Sequence, residues 1–270
     1  MSDVNMTDNN FDIQPTPQIV IECKGLTKKF GEFVAVDQLN LAVNKGELFG
    51  FLGPNGAGKT TSIKMMTGLL RPSAGTAILG SYDIQTHPLQ AKALFGYIPD
   101  NPFLYDKLTG REFISFMADL YSVPSEGRSR KISDLLQLFE LETKGNELIQ
   151  GYSRGMRQKI ALAGALIHQP QIIFLDEPTV GLDPKSARLM KDILRKLCDD
   201  GCTVLISTHI LEIAERMCDR FAILNRGKII AQGTMTELRA EAASETKSLE
   251  DIFLELTGGD EHRDLIHLLD

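Results

Sequence analysis

The eight residues Gly53-Pro54-Asn55-Gly56-Ala57-Gly58-Lys59-Thr60 constrain this chain more than any other stretch. They follow a compact apolar run, Glu47 to Leu52. A helix-like pattern from Thr60 to Leu70 comes next, with Ile63, Met65, Met66, Leu69 and Leu70 on its apolar face. Glycines at this spacing let the backbone turn and bring its N–H groups against an anion, where side chains would clash. A helix starting at once afterwards aims its unpaired N–H donors at the same point. Lys59 adds a point charge for β- and γ-phosphates, Thr60 offers a hydroxyl to Mg²⁺, and Thr61 extends the phosphate-binding set. A glycine-rich turn without a ligand is the bland alternative. The strand before the loop and the helix after it favour a bound nucleoside triphosphate, ATP, instead.

Such a loop needs a second group to order the metal. Ile172-Ile173-Phe174-Leu175-Asp176-Glu177 has the form of a buried strand ending in two carboxylates. Ligands of open α/β sheets collect at the carboxyl ends of strands. Asp176 is expected to hold the hydration shell of Mg²⁺, and Glu177 to polarise the water that attacks the γ-phosphate.

Around these motifs, apolar periodicity switches between strand and helix. A β-rich stretch covers Ile19 to Cys23, Phe33 to Val36 and the alternation Leu39, Leu41, Val43. Strands are expected at Gly75 to Leu79, Phe95 to Ile98, Ile172 to Leu175, Thr203 to Ser207 and Phe221 to Leu224, with helices between several of them. From about 107 to 150 only helical spacing occurs, through Phe113, Phe116, Met117, Leu120 and then Leu135, Leu136, Leu138, Phe139. The expected fold class is therefore α/β: a phosphate-loop ATPase core with a mostly parallel sheet, an N-terminal antiparallel β subdomain and an inserted helical subdomain. Residues 1–17 read as a disordered lead-in, 18–240 as the ATPase domain with its helical part at about 100–168, and 241–270 as a helical tail.

Composition excludes several other classes. The net charge of −7, from 36 acidic and 29 basic residues, argues against generic binding to nucleic acid. Cys23, Cys198, Cys202 and Cys218 form no C-x-x-C pair, so a zinc site is not expected and free thiols in a reducing compartment are. No run approaches the ~18 apolar residues that cross a bilayer. The polar, acidic start of the chain lacks the form of a secretory signal, so a cytosolic location is expected.

Further motifs make the chain resemble the ATP-binding subunits of ATP-binding cassette (ABC) transporters over nearly its whole length after residue 18. Tyr152-Ser153-Arg154-Gly155-Met156-Arg157-Gln158 resembles the signature usually written Leu-Ser-Gly-Gly-Gln, and Ser153 lies 23 residues before Asp176. Gly181-Leu182-Asp183 resembles the D-loop, His209 the switch histidine, and Phe30 the aromatic that stacks on adenine. The resemblance implies that Ser153, Arg154, Gly155, Met156 and Asp183 serve the nucleotide of a second ATP-binding subunit, in a homodimer or heterodimer. It implies too that His209 acts with Glu177 at the γ-phosphate. Without it, Ser153 would be read as a helix N-cap and His209 as a strand-end histidine. Two departures stand out: Arg154 and Met156 replace Gly and Gln of the signature, and Asp100 stands where the Q-loop glutamine that helps hold Mg²⁺ is expected.

The runs Pro99-Asp100-Asn101-Pro102-Phe103-Leu104-Tyr105 and Leu249 to Gly258 look like those of the bacterial ABC-2 exporter type. The implied protein is an ATPase, peripheral on the cytoplasmic side of the membrane, powering separate integral membrane permease subunits. Those subunits would dock near Asp100 to Leu108, Phe113 and Phe116. An importer cassette, a soluble non-transport ABC ATPase and a module that holds ATP without hydrolysing it are the alternatives.

Overall fold

The computed structural model describes residues 18–244 and 246–257. Two long strands, β1 (Ile19–Phe30) and β2 (Phe33–Asn44), come first. They are followed by β3 (Leu48–Leu52), α1 (Lys59–Met66), β4 (Ala74–Leu79), β5 (Tyr82–Asp83), α2 (Pro88–Ala93) and β6 (Phe95–Ile98). Three helices run next without an intervening strand: α3 (Gly110–Leu120), α4 (Arg128–Leu138) and α5 (Arg154–Leu166). Alternation resumes with β7 (Ile172–Asp176), α6 (Pro184–Asp199), β8 (Thr203–Thr208), α7 (Leu211–Met217), β9 (Arg220–Asn225) and β10 (Lys228–Gly233). Helices α8 (Met235–Glu241) and α9 (Leu249–Thr257) end the described part.

One sheet is antiparallel, in the order β2-β1-β4-β5. The other has the order β10-β9-β3-β8-β7-β6 and is parallel except for β10 at its edge. Strands β3, β7 and β8 are buried at every residue, as parallel strands covered on both faces must be. Period-two alternation sorts their side chains. Phe49, Phe51, Phe174 and Leu205 join Ile63, Met65 and Met66 of α1 beneath the antiparallel sheet. Leu48, Ile173, Leu175, Val204 and Ile206 join the residues of α3, α5 and α6 on the other side. Each large apolar side chain so buried contributes about 1.5–3 kcal/mol. Phe95 also meets Phe174 edge-on at 5.5 Å between centroids, locking β6 to β7.

Register then decides what lies side by side. Phe51 pairs with Ser207, Ser207 with Asp176, and Leu52 with Thr208. Gly53, Asp176 and His209 consequently leave the sheet at the same edge. The helical part is anchored by caps: Thr109 and Glu112 form a reciprocal capping box at α3, and Ser153 accepts a bond from the Met156 N–H at α5.

Some expectations shift in detail. Helix α1 ends at Met66, and Leu69, expected on its apolar face, is exposed, as are Leu120 and Leu138 of the helical part. Strand β10 has no counterpart in the sequence reading. It forms because Arg226 and Gly227, both at positive φ (47° and 78°), close a two-residue hairpin in which Asn225 faces Lys228. The sequence signal was one glycine with an arginine where asparagine is usual. Strand β5 and helix α2, two and six residues long, are too short to carry a period. The lead-in expected at 1–17 lies outside the described residues, as do residues 258–270 of the tail.

Candidate nucleotide site

The turn from β3 into α1 builds the cradle. Gly58 sits at φ 107°, and an added Cβ there would come within 2.7 Å of the Ala35 carbonyl oxygen, so only glycine closes this turn. Lys59 is 6% exposed and folds back over the loop. Its Nζ donates to the Gly53 and Pro54 carbonyls at 2.7 and 3.2 Å and lies 3.6 Å from Glu177 Oε1. Burial pushes its pKa below the ordinary lysine value, with Glu177 and Asp176 pulling it back up.

Opposite the loop, Asp176 is 3% exposed and held by two hydroxyls. Thr60 Oγ1 donates to its Oδ2 at 2.7 Å, and Ser207 Oγ donates to its Oδ1. Glu177 follows at φ 51°, an uncommon conformation for a side chain of its size. Its N–H donates to the Ser207 carbonyl at 3.0 Å, which holds this turn onto the strand end. The Oε1 atom lies 3.0 Å from His209 Nδ1, whereas the buried Oε2 has no hydrogen-bonding partner among the described residues. An orphaned carboxylate oxygen costs roughly 1–3 kcal/mol, and it offers a strong acceptor to a water entering the cleft.

The cleft itself has a volume of about 410 Å³. Its lining brings together Phe30, Pro54, Asn55, Gly56, Ala57, Gly58, Lys59, Thr60, Thr61, Asp100, Asp176 and Glu177. Gly53 stands behind it through its bond with Lys59, and His209 reaches it through Glu177. Lys28 Nζ lies 5.1 Å from the centre of the Phe30 ring, a cation–π contact at the cleft mouth. Ala35 and Phe33, a second exposed aromatic, complete the lining. Sequence reasoning missed Phe33, although the hairpin Phe30-Gly31-Glu32-Phe33 signals two aromatics side by side. It missed Ser207 as well, which only the register with Asp176 reveals.

Ser153, Arg154, Gly155, Met156 and Asp183 are not among the cleft-lining residues. Ser153 caps α5, Met156 packs on the apolar core beside the helices, and Gly155 faces Leu182. Asp183 caps α6 by accepting the Ser186 N–H at 3.0 Å, and hydrogen bonds from the Ser186 side chain and backbone hold its carboxyl below the usual range. Arg154 Nη2 lies 3.1 Å from Asp100 Oδ1.

Residues 36–180 match the family model described as ABC transporter. The chain belongs to the ABC transporter family. As an ABC cassette it is 39% identical over 248 residues to the probable multidrug ABC transporter ATP-binding protein YbhF of Escherichia coli K12. That match takes in 90% of this chain but 43% of YbhF, so the chain spans less than half the length of this relative. It is 38% identical to the Nod factor export ATP-binding protein I of Ralstonia nicotianae, over 84% of this chain and 70% of the relative. The ATP-binding cassette MJ0796, solved as a dimer in a post-hydrolysis state with ADP and Pi, superposes with a TM-score of 0.73 at 27% identity. That superposition covers 80% of this chain and 98% of MJ0796.

Proposed function

We propose that this cassette hydrolyses ATP as the peripheral subunit of a membrane exporter. The observation that carries the reading is the seating of Glu177: a buried carboxylate at the strand edge, its Oε1 beside Lys59 and His209 and its Oε2 free to accept. In this reading the loop N–H groups and Lys59 hold the β- and γ-phosphates, and Phe30 stacks on the adenine. Glu177 orients a water and accepts its proton as it attacks the γ-phosphate. His209 donates to Glu177 and fixes its orientation. The donor set suits Mg²⁺, which favours few protein ligands and several waters. Thr60 and Asp176 would hold the ion, with Asp100 at the cleft wall a further candidate. Bound there, Mg²⁺ would neutralise and align the phosphate oxygens.

Ser153, Arg154, Gly155, Met156 and Asp183 would then meet the nucleotide of a second ATP-binding subunit, identical or different. The dimer of the related MJ0796 cassette supports this arrangement. Export rather than import is supported by the Nod factor export relative. Among the described residues no helix is long and apolar enough to cross a membrane, so the passage would be built by integral permease subunits. Their seat would be the groove of about 200 Å³ between the loop after β6 and helices α3 and α5, with Phe103, Tyr105, Phe113 and Phe116 at its rim and floor. The cassette would span 18–240, on the cytoplasmic side of the membrane, without a nucleic-acid partner.

Replacing Glu177 with Gln tests the chemistry. Turnover should fall by roughly 10²–10⁴-fold while ATP still binds, and ATP should then hold two chains together in size-exclusion chromatography. Turnover at the wild-type rate would remove Glu177 from the role of base.

A further inference from the structure

Three cations stand on the first turns of α5, and each has a carboxylate partner outside that helix. Arg157 meets Asp106 at 2.7 Å, Lys159 meets Glu140 at 3.2 Å, and Arg154 meets Asp100 at 3.1 Å. Asp106 and Glu140 are not among the residues lining the nucleotide cleft. Asp100 is, together with Thr60, Asp176 and Glu177. A third carboxylate in a cleft shaped for polyphosphate is electrostatically costly unless its charge is cancelled. Asp176 has the hydroxyls of Thr60 and Ser207, and Glu177 has Lys59; the cation that Asp100 has is Arg154.

The guanidinium is also braced from behind. A Cβ placed on Gly181 would meet Arg154 Nε and Nη1 at 3.0 Å, so the arginine lies across the loop that follows Glu177. Arg154 therefore lies against one cleft-lining residue, Asp100, and against the loop that leads on from another, Glu177, while belonging to a helix that does not line the cleft.

We propose that Arg154 is a positioning residue for Asp100 of its own chain. It cancels the carboxylate's charge and holds it against the cleft wall, and so ties nucleotide affinity to the seating of the start of α5. This rests on the nucleotide reading above and adds to it: the start of α5 acts on the nucleotide of its own chain, in addition to any second chain. Both partners are about half exposed, so the pair adds little to stability. Its leverage lies in where it keeps the Asp100 carboxylate, which, released from Arg154, would be free to swing toward the arriving phosphates and repel them.

The test is a double-substitution cycle on the full chain, read as affinity for Mg²⁺·ADP at a concentration where the protein is monomeric by light scattering. Arg154→Gln should weaken binding by about three- to tenfold, and the loss should shrink at about 0.5 M salt. Arg154→Lys, which keeps the charge, should stay within about twofold of wild type. In the Asp100→Asn background, Arg154→Gln should change affinity by less than about twofold, since no carboxylate remains to be held off the phosphates. An equal loss in both backgrounds would overturn the proposal, and so would an unchanged affinity for Arg154→Gln alone. If the wild-type chain binds no nucleotide, the reading beneath the proposal fails and takes it along. If wild type binds and the cycle is additive, only the proposal fails.

Discussion

At the carboxyl edge of the parallel sheet Asp176 is 3% exposed, whereas a short distance beyond β6 Phe103 is 92% exposed and Tyr105 56%. The first region sets polar groups on an apolar scaffold. Strands β3, β7 and β8 are buried throughout, and Thr60, Ser207 and His209 each fix a carboxylate by a hydrogen bond. The second region does the reverse, holding apolar side chains toward solvent. There Tyr105 and Phe116 meet edge to face at 5.2 Å, and Phe113 beneath them is buried against α5. In the proposed reading the phosphates of a nucleotide complete one region. An apolar surface of the proposed permease subunits would complete the other.

The sharpest way to break this contrast is at Lys59. Its ammonium is desolvated and bonded to two loop carbonyls, so Lys59→Ala removes a preorganised charge from the cleft. Nucleotide affinity should fall by about 100-fold, equivalent to about 2.7 kcal/mol, as measured by fluorescence titration with labelled ATP. The groove should be untouched, because no side chain of the loop reaches it. An affinity near that of wild type would mean that the loop does not hold the phosphates.

The complementary test works on exposed aromatics. Replacing Phe103 and Tyr105 together by Ala should leave nucleotide affinity and turnover of the isolated chain within about twofold. Stability should shift by about 1–2 kcal/mol, since Phe103 buries little and Tyr105 gives up its edge contact with Phe116. Association with the membrane subunits, followed by co-purification from detergent, should weaken by about 30-fold if the two rings are interface anchors. Undiminished co-purification would place the permease contact elsewhere.

The two regions also differed in how far the sequence announced them. Phosphate binding demands particular residues at particular spacing, so Gly53 to Thr60 and Asp176-Glu177 stood out before any fold was known. Their meeting depended on something sequence carries weakly, the pairing of Phe51, Ser207 and Asp176 across three strands. Ser207 was invisible as a site residue for that reason. Phe103, Phe113 and Phe116 present a harder case, because an apolar side chain in a core and one on a docking surface obey the same periodicity. Only burial separates them, and Leu120, at the same helical spacing as Phe113, proved exposed. The ion pair between Asp100 and Arg154 joins residues 54 positions apart and follows from no spacing rule.

A smaller effect probes what lies under the groove. Tyr121 contributes to its lining, and His168 stacks flat on that ring, with centroids 3.6 Å apart and planes 5° from parallel. Burial pushes the imidazole down from 6.5 to about 4. Below pH 6.5 the unfolded chain takes up a proton that the folded chain refuses until about pH 4. The stability tied to His168 is therefore whole above pH 6.5 and is lost as pH falls through that window. At full strength the gap is worth about 3 kcal/mol; the side chain still meets solvent, so about 1–2 kcal/mol is expected. His168→Phe keeps a ring against Tyr121 but cannot take up the proton. Urea denaturation of this variant across pH 4 to 6.5 should lose that share of the pH slope, while the nucleotide affinity stays that of wild type. A slope unchanged by the substitution would assign the acid sensitivity to another group. A change in nucleotide affinity would show that the groove and the sheet edge are less separate than their construction implies.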